Sequence, residues 1–444
     1  MAETELAATE RPLTHRRVLH IAVPIVLSNA TVPILGAVDT GVVGQLGEAA
    51  PIGAVGIGAI ILTAIYWIFG FLRMGTSGLV AQALGAGQRD EVSALLSRAL
   101  LIGFGAGLAL IVLQGALFWG AFQVSPASPE VESLARDYME IRIWSAPAAI
   151  AIYGLTGWLI AAERTKGVLV LQLWMNGLNI ALDLWFVLGL GWGVSGVAFA
   201  TFLAEWTGLA LGLWLCRDAF ARPAWRQSAL VFARDRLAQM AAVNGDILIR
   251  SVLLQAAFLS FLFLGADLGD VTLAANQVLL QFLHVTSYAL DGFAFAAEAL
   301  VGQAYGAGAV ARLRRATWMT GLWGAFTAVG LSLGFALFGV PFIELMTTAS
   351  EVRASAVSYL PWIIAAPVLG VAAYILDGVF IGATRTRDMR NMMALSFAAY
   401  CIAVALLLPF LGNHGLWVSI LVMYVVRAVT LGSKYPALER SAGS

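Results

Sequence analysis

Four oxygen-bearing side chains, Asp39, Asn179, Asp183 and Thr201, have the types and spacing to do chemistry in this 444-residue chain. Asp39 sits in the apolar stretch Pro33 to Val43, eight residues before Gly47. At a rise of about 1.5 Å per residue, that is roughly 12 Å below the edge of the run. Asn179 and Asp183 are four apart and share a helix face. The turn Gly189-Leu190-Gly191-Trp192-Gly193 then reverses the chain. Residue 192 is midway between Asp183 and Thr201, so the two stand at matching depth on antiparallel helices, roughly 13 Å from the surface. Three separate segments thus agree in depth. Two carboxylates in a low-dielectric pocket cannot both ionise cheaply, so such a pair could titrate as a unit and carry a proton. The same oxygens could instead hold Na⁺, a hard cation. The plainer alternative is Asp39 bonded to backbone, with Asn179 and Asp183 packing two helices.

Other charges in apolar surroundings rank behind this set, though each is costly enough to need a cavity or a partner. Glu205 follows Thr201 by four and could meet a cationic substrate or pair with an arginine near the cytoplasmic side. Asp291, Glu298 and Asp377 could line a substrate cavity. Asp246 and Arg250 are four apart and are expected to pair within one helix. Arg73 and Arg142 are expected to hold helices or snorkel rather than bind ligand. Trp67, Trp158, Trp174 and Trp185 suit interfacial belts better than drug contacts. His15, His20 and His414 lie near span ends, which leaves His284 alone. No paired metal motif or nucleophile elbow appears, so an embedded enzyme is disfavoured and no cofactor is expected. Cys216 and Cys401 read as packing thiols rather than a disulfide.

The elements that must position these groups are membrane helices. Sixty per cent of residues are hydrophobic and twelve per cent charged, half the charge of an ordinary soluble domain. Apolar runs longer than the roughly 20 residues needed to cross a bilayer are centred near residues 30, 67, 106, 150, 178, 205, 250, 285, 327, 368, 399 and 422. Runs of that length indicate helices rather than barrel strands. Arginine concentrates in the N-terminal arm and after even-numbered spans, as at Arg89, Arg164, Arg222, Arg234, Arg312 and Arg385. The odd connections lean acidic, as at Glu48, Glu130, Asp267 and Glu351. That alternation puts both termini in the cytoplasm of a multi-pass protein of the cell (inner) membrane. Net charge is zero, and no nucleic-acid partner is implied. Membrane lipid is an expected partner, and a monomer is expected.

The chain also repeats. Leu79 to Gly87 (LVAQALGAG) returns as Leu300 to Gly308 (LVGQAYGAG), and Tyr153 to Thr165 returns in part at Tyr374 to Thr386, both at an offset of 221. Two copies of six spans share orientation and predict two lobes with a binding site between them. The expected division is an arm at 1–17, a first lobe at 18–221, a linker at 222–232, a second lobe at 233–433 and a tail at 434–444. Adding 221 to 39, 179 and 183 gives Ser260, Tyr400 and Val404, so the acidic cluster belongs to the first lobe alone. Pro24 lies inside the first span and removes a backbone hydrogen bond, so a kink is expected there.

With these motifs in view, the chain resembles the multidrug and toxic compound extrusion (MATE) family, in its DinF-like branch. The resemblance rests on Ala37-Val38-Asp39-Thr40, on Gly70 to Gly78 (GFLRMGTSG), on Tyr138 to Pro147 (YMEIRIWSAP), on Asn179, Asp183 and Thr201, and on Asn244 to Arg250 (NGDILIR). It implies an all-α integral membrane protein with twelve transmembrane helices in two pseudo-twofold related six-helix lobes. It further implies small organic substrates, often cationic or amphipathic compounds, exported by the drive of inward H⁺ or Na⁺. By the same resemblance, Asp39, Asn179, Asp183 and Thr201 form the cation site, and Pro24 marks a helix that can bend. One departure is Leu35, where related archaeal members carry tyrosine. A lipid-linked precursor flippase is the alternative. It would call for a strongly cationic cavity, whereas the spans here carry acids.

Overall fold

The computed structural model describes residues 12–45, 47–124 and 128–443. Residues 1–11, which include Arg11 of the expected arm, and Ser444 of the tail lie outside them. Among the described residues, twelve helices are long and apolar enough to cross a membrane. They are α1 (His15–Gly44), α2 (Ala49–Gly85), α3 (Arg89–Gln123), α4 (Pro129–Ala161), α5 (Thr165–Gly189) and α6 (Gly193–Leu215). The second set is α7 (Arg234–Ala266), α8 (Asp270–Gly306), α9 (Val310–Met346), α10 (Ser350–Gly382), α11 (Thr386–Leu411) and α12 (Asn413–Ala442). Each expected span centre falls in its own helix. The reason is the one visible in the composition: backbone groups in hydrocarbon must bond internally, and a helix is the local way to do so.

The described residues gather into two compact units, one drawn from 27–80 and 88–239, the other from 12–26, 81–87 and 240–443. In the first unit α3 packs on the second half of α4, and α5 on α6. The segment after α6 runs through short helices at Arg217–Phe220, Pro223–Arg226 and Ser228–Val231. Fully buried Arg98 on α3 holds it, reaching the Leu230 and Val231 carbonyls at 2.7 and 2.8 Å and Glu91 at 2.6 Å. In the second unit α8 and α10 make the most extensive contact. An apolar core there includes Phe261, Phe282, Tyr400 and Trp417.

The repeat is legible in the backbone as well as in the letters. Glu163 and Thr384, 221 apart, are the two described non-glycine residues with positive φ, at 58° and 49°. Gly87 and Gly308 repeat at 71° and 66°, and Gly191 and Gly412 at 70° and 53°. Close packing repeats too. A Cβ on Gly157 would strike the carbonyl of Arg73, and one on Gly378 would strike the carbonyl of Ala294, again 221 residues on in both members. Within the second unit the repeated motif packs on its own copy. Gly85 lies against the Gln303 carbonyl and Gly306 against the Gln82 carbonyl, a reciprocal contact of the kind a twofold relation produces.

Helix breaks set where polar groups face. Pro24 lies inside a continuous stretch, His15–Ala30. The interruption of α1 is at Thr31, two residues before Pro33, and helix resumes over Val32–Gly44. α2 tightens to a 3₁₀ turn at Ile68–Gly70 and α4 at Ile143–Ser145, the latter just before Pro147, whose missing N–H cannot continue the ladder. α5 ends in a wide π turn, Leu184–Gly189, immediately after Asp183.

Candidate cation-coupling site

Asp39, Asn179, Asp183 and Thr201 meet in the first unit. Asp183 and Asn179 are almost wholly buried, while Asp39 and Thr201 are half-buried. The Asp39 and Asp183 carboxyl groups are within hydrogen-bonding reach of each other. The Asn179 amide joins them to Thr201. With its nitrogen toward the acids it donates to Asp183 Oδ2 at 2.9 Å and to Asp39 Oδ1 at 3.2 Å. Its oxygen then accepts from Thr201 Oγ1 at 2.7 Å and from the Thr201 N–H at 3.2 Å; this orientation is assigned from the bonding network. Thr201 therefore faces Asn179 rather than Asp183. The extra residues of the π turn shift the register from a mirror about residue 192. Asp183 Oδ1 is buried with no hydrogen-bond partner.

The break in α1 is braced from the same helix face. Asn176, three residues before Asn179, donates to Thr31 Oγ1 at 2.9 Å and to the Thr31 carbonyl at 3.3 Å. Thr31 Oγ1 in turn donates to the Ser28 carbonyl at 2.7 Å. Groups freed by the interruption are thus satisfied inside the bundle, as hydrocarbon surroundings demand. Asn176 and Thr31 were not among the expected site residues. The signal available was the polar spacing 172, 176 and 179, for Gln172 also donates to Asn176 at 2.9 Å.

Arg142 is the larger omission. It was expected to brace helices, and it does, but beside the acids. Its guanidinium lies 3.1 Å from Glu205 Oε1 and within electrostatic range of Asp39, Asp183, Tyr66 and Tyr138. The carbonyl of Arg142, left open by the 3₁₀ turn, accepts from Tyr66 at 3.1 Å and from Ser145 at 2.7 Å. Glu205 thus pairs with an arginine, but with the one beside the acids rather than one near the cytoplasmic side.

The second unit carries charge differently. Arg250 pairs with Asp377 on α10, not with Asp246 on its own helix. Asp246 instead takes Arg390 at 2.7 Å and Thr386 at 3.1 Å. The expected i,i+4 pair is thus corrected. Such a pair contributes only a few tenths of a kcal/mol on a helix surface, and partners on α10 and α11 outcompete it. Arg427 of α12 also contacts Asp377, its Nε 3.2 Å from Oδ1. Asp291 and Glu298 act electrostatically on Arg250. Two of the repeat-related positions touch, Ser260 Oγ lying 3.0 Å from the Tyr400 hydroxyl. The geometry recurs without carboxylates.

Trp67, Trp174 and Trp185 are exposed, as a belt requires, but Trp158 is buried. Cys216 is buried and Cys401 exposed, and both are free. Among the described residues, no three His, Cys, Asp or Glu side chains gather as a metal site.

A family model, MatE, matches residues 24–185 and 247–407. The chain is 39% identical to the DNA damage-inducible protein F of Escherichia coli (strain K12), over 93% of this chain and 90% of that protein. It is 28% identical to the probable multidrug resistance protein NorM of Bradyrhizobium diazoefficiens, over 95% of this chain and 93% of that protein. Its fold is similar to that of a MOP superfamily transporter from Pyrococcus furiosus, with a TM-score of 0.86, 17% identity and 96% of each chain covered. It is also similar to the Vibrio cholerae MATE transporter VcmN in the bent form, with a TM-score of 0.86, 20% identity and 99% of each chain covered.

Proposed function

Because the chain belongs to the MATE family, whose members are transporters and not enzymes, we propose that it exports organic, often cationic or amphipathic compounds. The drive is inward movement of H⁺ or Na⁺ through Asp39, Asn179, Asp183 and Thr201, with the protein lying in the cell membrane and both termini in the cytoplasm. The observation that carries this reading is the convergence of two carboxyl groups from α1 and α5 on one amide, with a buried carboxylate oxygen left unpartnered. Two carboxylates in contact repel unless a positive charge lies with them. A proton between them removes one charge and adds a hydrogen bond. Na⁺ would use the same carboxylate, amide and hydroxyl oxygens, with the amide turned so that its oxygen faces the ion.

Uptake of the ion must alter a helix to be useful. Asp39 lies eight residues beyond the break in α1, and Asn176 and Asn179 tie α5 to both the break and the acid. A change at the carboxyl pair therefore acts on the segment best able to bend. Pro24, nearer the start of α1, removes a second helical bond and stays in the proposal as a further bending point. Of the second-unit acids, Asp291 and Glu298 are retained as cavity candidates; Asp377 is held by two arginines.

The test is transport of a fluorescent organic cation into proteoliposomes under separate proton and sodium gradients. Asp39→Asn is expected to cut gradient-driven transport by about tenfold or more, within the range of ordinary site-to-site coupling. Native rates in the variant under both gradients would remove Asp39 from coupling.

A further inference from the structure

Buried Arg142 and half-buried Glu205 make an ion pair that is imperfect on both sides. The guanidinium is 3.1 Å from Glu205 Oε1. Yet Arg142 Nε and Nη1 have no aligned hydrogen-bond acceptor, and Glu205 Oε2 has no donor. A pair built only to hold helices would be expected to saturate these groups, since each buried polar atom left open costs about 1–3 kcal/mol. The side chains are 7% and 18% exposed.

The surroundings explain why the pair is left open. Within electrostatic range of the guanidinium are Asp39 and Asp183 from α1 and α5, Glu205 from α6, and the phenols Tyr66 and Tyr138 from α2 and α4. One guanidinium therefore serves three carboxyl groups. The backbone under it is the 3₁₀ turn Ile143–Ser145, with its carbonyl held by Tyr66 and Ser145. With the main chain anchored, any change of partner falls to the long side chain.

We propose that Glu205 is the carboxylate that receives the positive group of an exported organic cation, and that Arg142 occupies it as an internal stand-in. When the Asp39–Asp183 pair holds its proton or Na⁺, it has no need of the guanidinium, and Arg142 stays on Glu205. When the pair loses that ion, its charge draws Arg142 across, and Glu205 is opened to the substrate. The coupling ion and the substrate exclude each other through one arginine, without contending for the same atoms. Exchange then follows from the reciprocity of linked binding. This rests on the proposed transport function and deepens it.

The probe is tetraphenylphosphonium, with the neutral triphenylphosphine oxide as its comparison. Binding to the purified full-length protein is measured at acid and alkaline pH, with and without sodium chloride. In the native protein the coupling ion is expected to weaken phosphonium binding by about tenfold. Arg142→Gln removes the messenger, so phosphonium binding should become insensitive to the coupling ion and stay tight. Glu205→Gln should weaken phosphonium binding by about tenfold or more and leave the phosphine oxide unaffected. Arg142→Lys keeps the charge and should restore part of the ion sensitivity, which a purely structural arginine would not do. Arg142→Gln/Glu205→Gln guards against misfolding, since it removes both charges of the ion pair together; it should bind the phosphonium weakly under all conditions. Native ion sensitivity in Arg142→Gln, or native phosphonium affinity in Glu205→Gln, overturns the proposal. Either result leaves the transport reading standing if Asp39→Asn still cuts gradient-driven uptake by about tenfold or more. If Asp39→Asn transports normally, Asp39 is removed from coupling and the ion-site half of the proposed function fails, whatever the arginine does.

Discussion

Asp39, Asn179, Asp183 and Thr201 could be selected from the letters because membrane depth can be counted along a helix. Their convergence is the part of the site most legible in the sequence. What counting could not supply is rotation about the helix axis, and Arg142 shows the cost. Its depth was visible, but whether it faced lipid, a neighbour or the acids depends on the 3₁₀ turn that follows it. The Asp246–Arg250 pairing failed for a related reason: proximity along one helix is visible in sequence, whereas Arg390 and Asp377 are brought in only by packing. A stability measurement belongs at this scale. Arg142→Gln leaves the half-buried Glu205 unpaired, at an expected cost of about 1–3 kcal/mol. Removing the second charge in Arg142→Gln/Glu205→Gln should return most of that loss. Melting of the detergent-solubilised variants, followed by loss of monodisperse protein, checks both. A double variant no more stable than the single would show that the ion pair itself does not carry the effect.

Among the elements, the copied glycines have a clear physical role. Gly157 sits against the Arg73 carbonyl and Gly378 against the Ala294 carbonyl, at equivalent places in the two copies. Neither obstacle is the end of a flexible side chain; both are helix backbone. Gly157→Ala and Gly378→Ala should each force helices apart, with a loss of about 1–3 kcal/mol. Gly105, also helical, has nothing within 4 Å of a would-be Cβ. Gly105→Ala should be neutral or slightly stabilising, since alanine is the better helix former. Melting temperatures of the three variants test this. Equal behaviour at all three positions would contradict the packing argument. The repeat itself was evident in the sequence, down to Gly157 and Gly378. The left-handed backbone at Glu163 and Thr384 was not, because neither side chain advertises positive φ. The interruption of α1 at Thr31 escaped notice for a different reason. Proline draws attention to itself, and Pro24 drew it. The actual break lies just upstream of Pro33, where Asn176 stands ready to satisfy the freed groups.

For the whole molecule, the direction of ion movement depends on which side each connection faces, and the arginine pattern is what assigns it. Two exposed positions separate the alternatives. Arg226 lies in the short 3₁₀ helix between α6 and α7, and Asp267 in the turn between α7 and α8. They stand at opposite ends of α7, whose 33 residues span about 50 Å, more than a bilayer's hydrocarbon core. Exposed Cys401 is first replaced by serine; Cys216 is fully buried and can remain. In intact cells a membrane-impermeant maleimide should then label Asp267→Cys but not Arg226→Cys, and permeabilisation should expose the latter. Basic connections are retained on the cytoplasmic side because translocating them is disfavoured. The opposite pattern would turn the molecule over and make the proposed ion flux run outward. Labelling of both positions in intact cells would mean that α7 does not cross. The six-span repeat could not then place both termini on one side, and a shared orientation of the two copies would be lost with it.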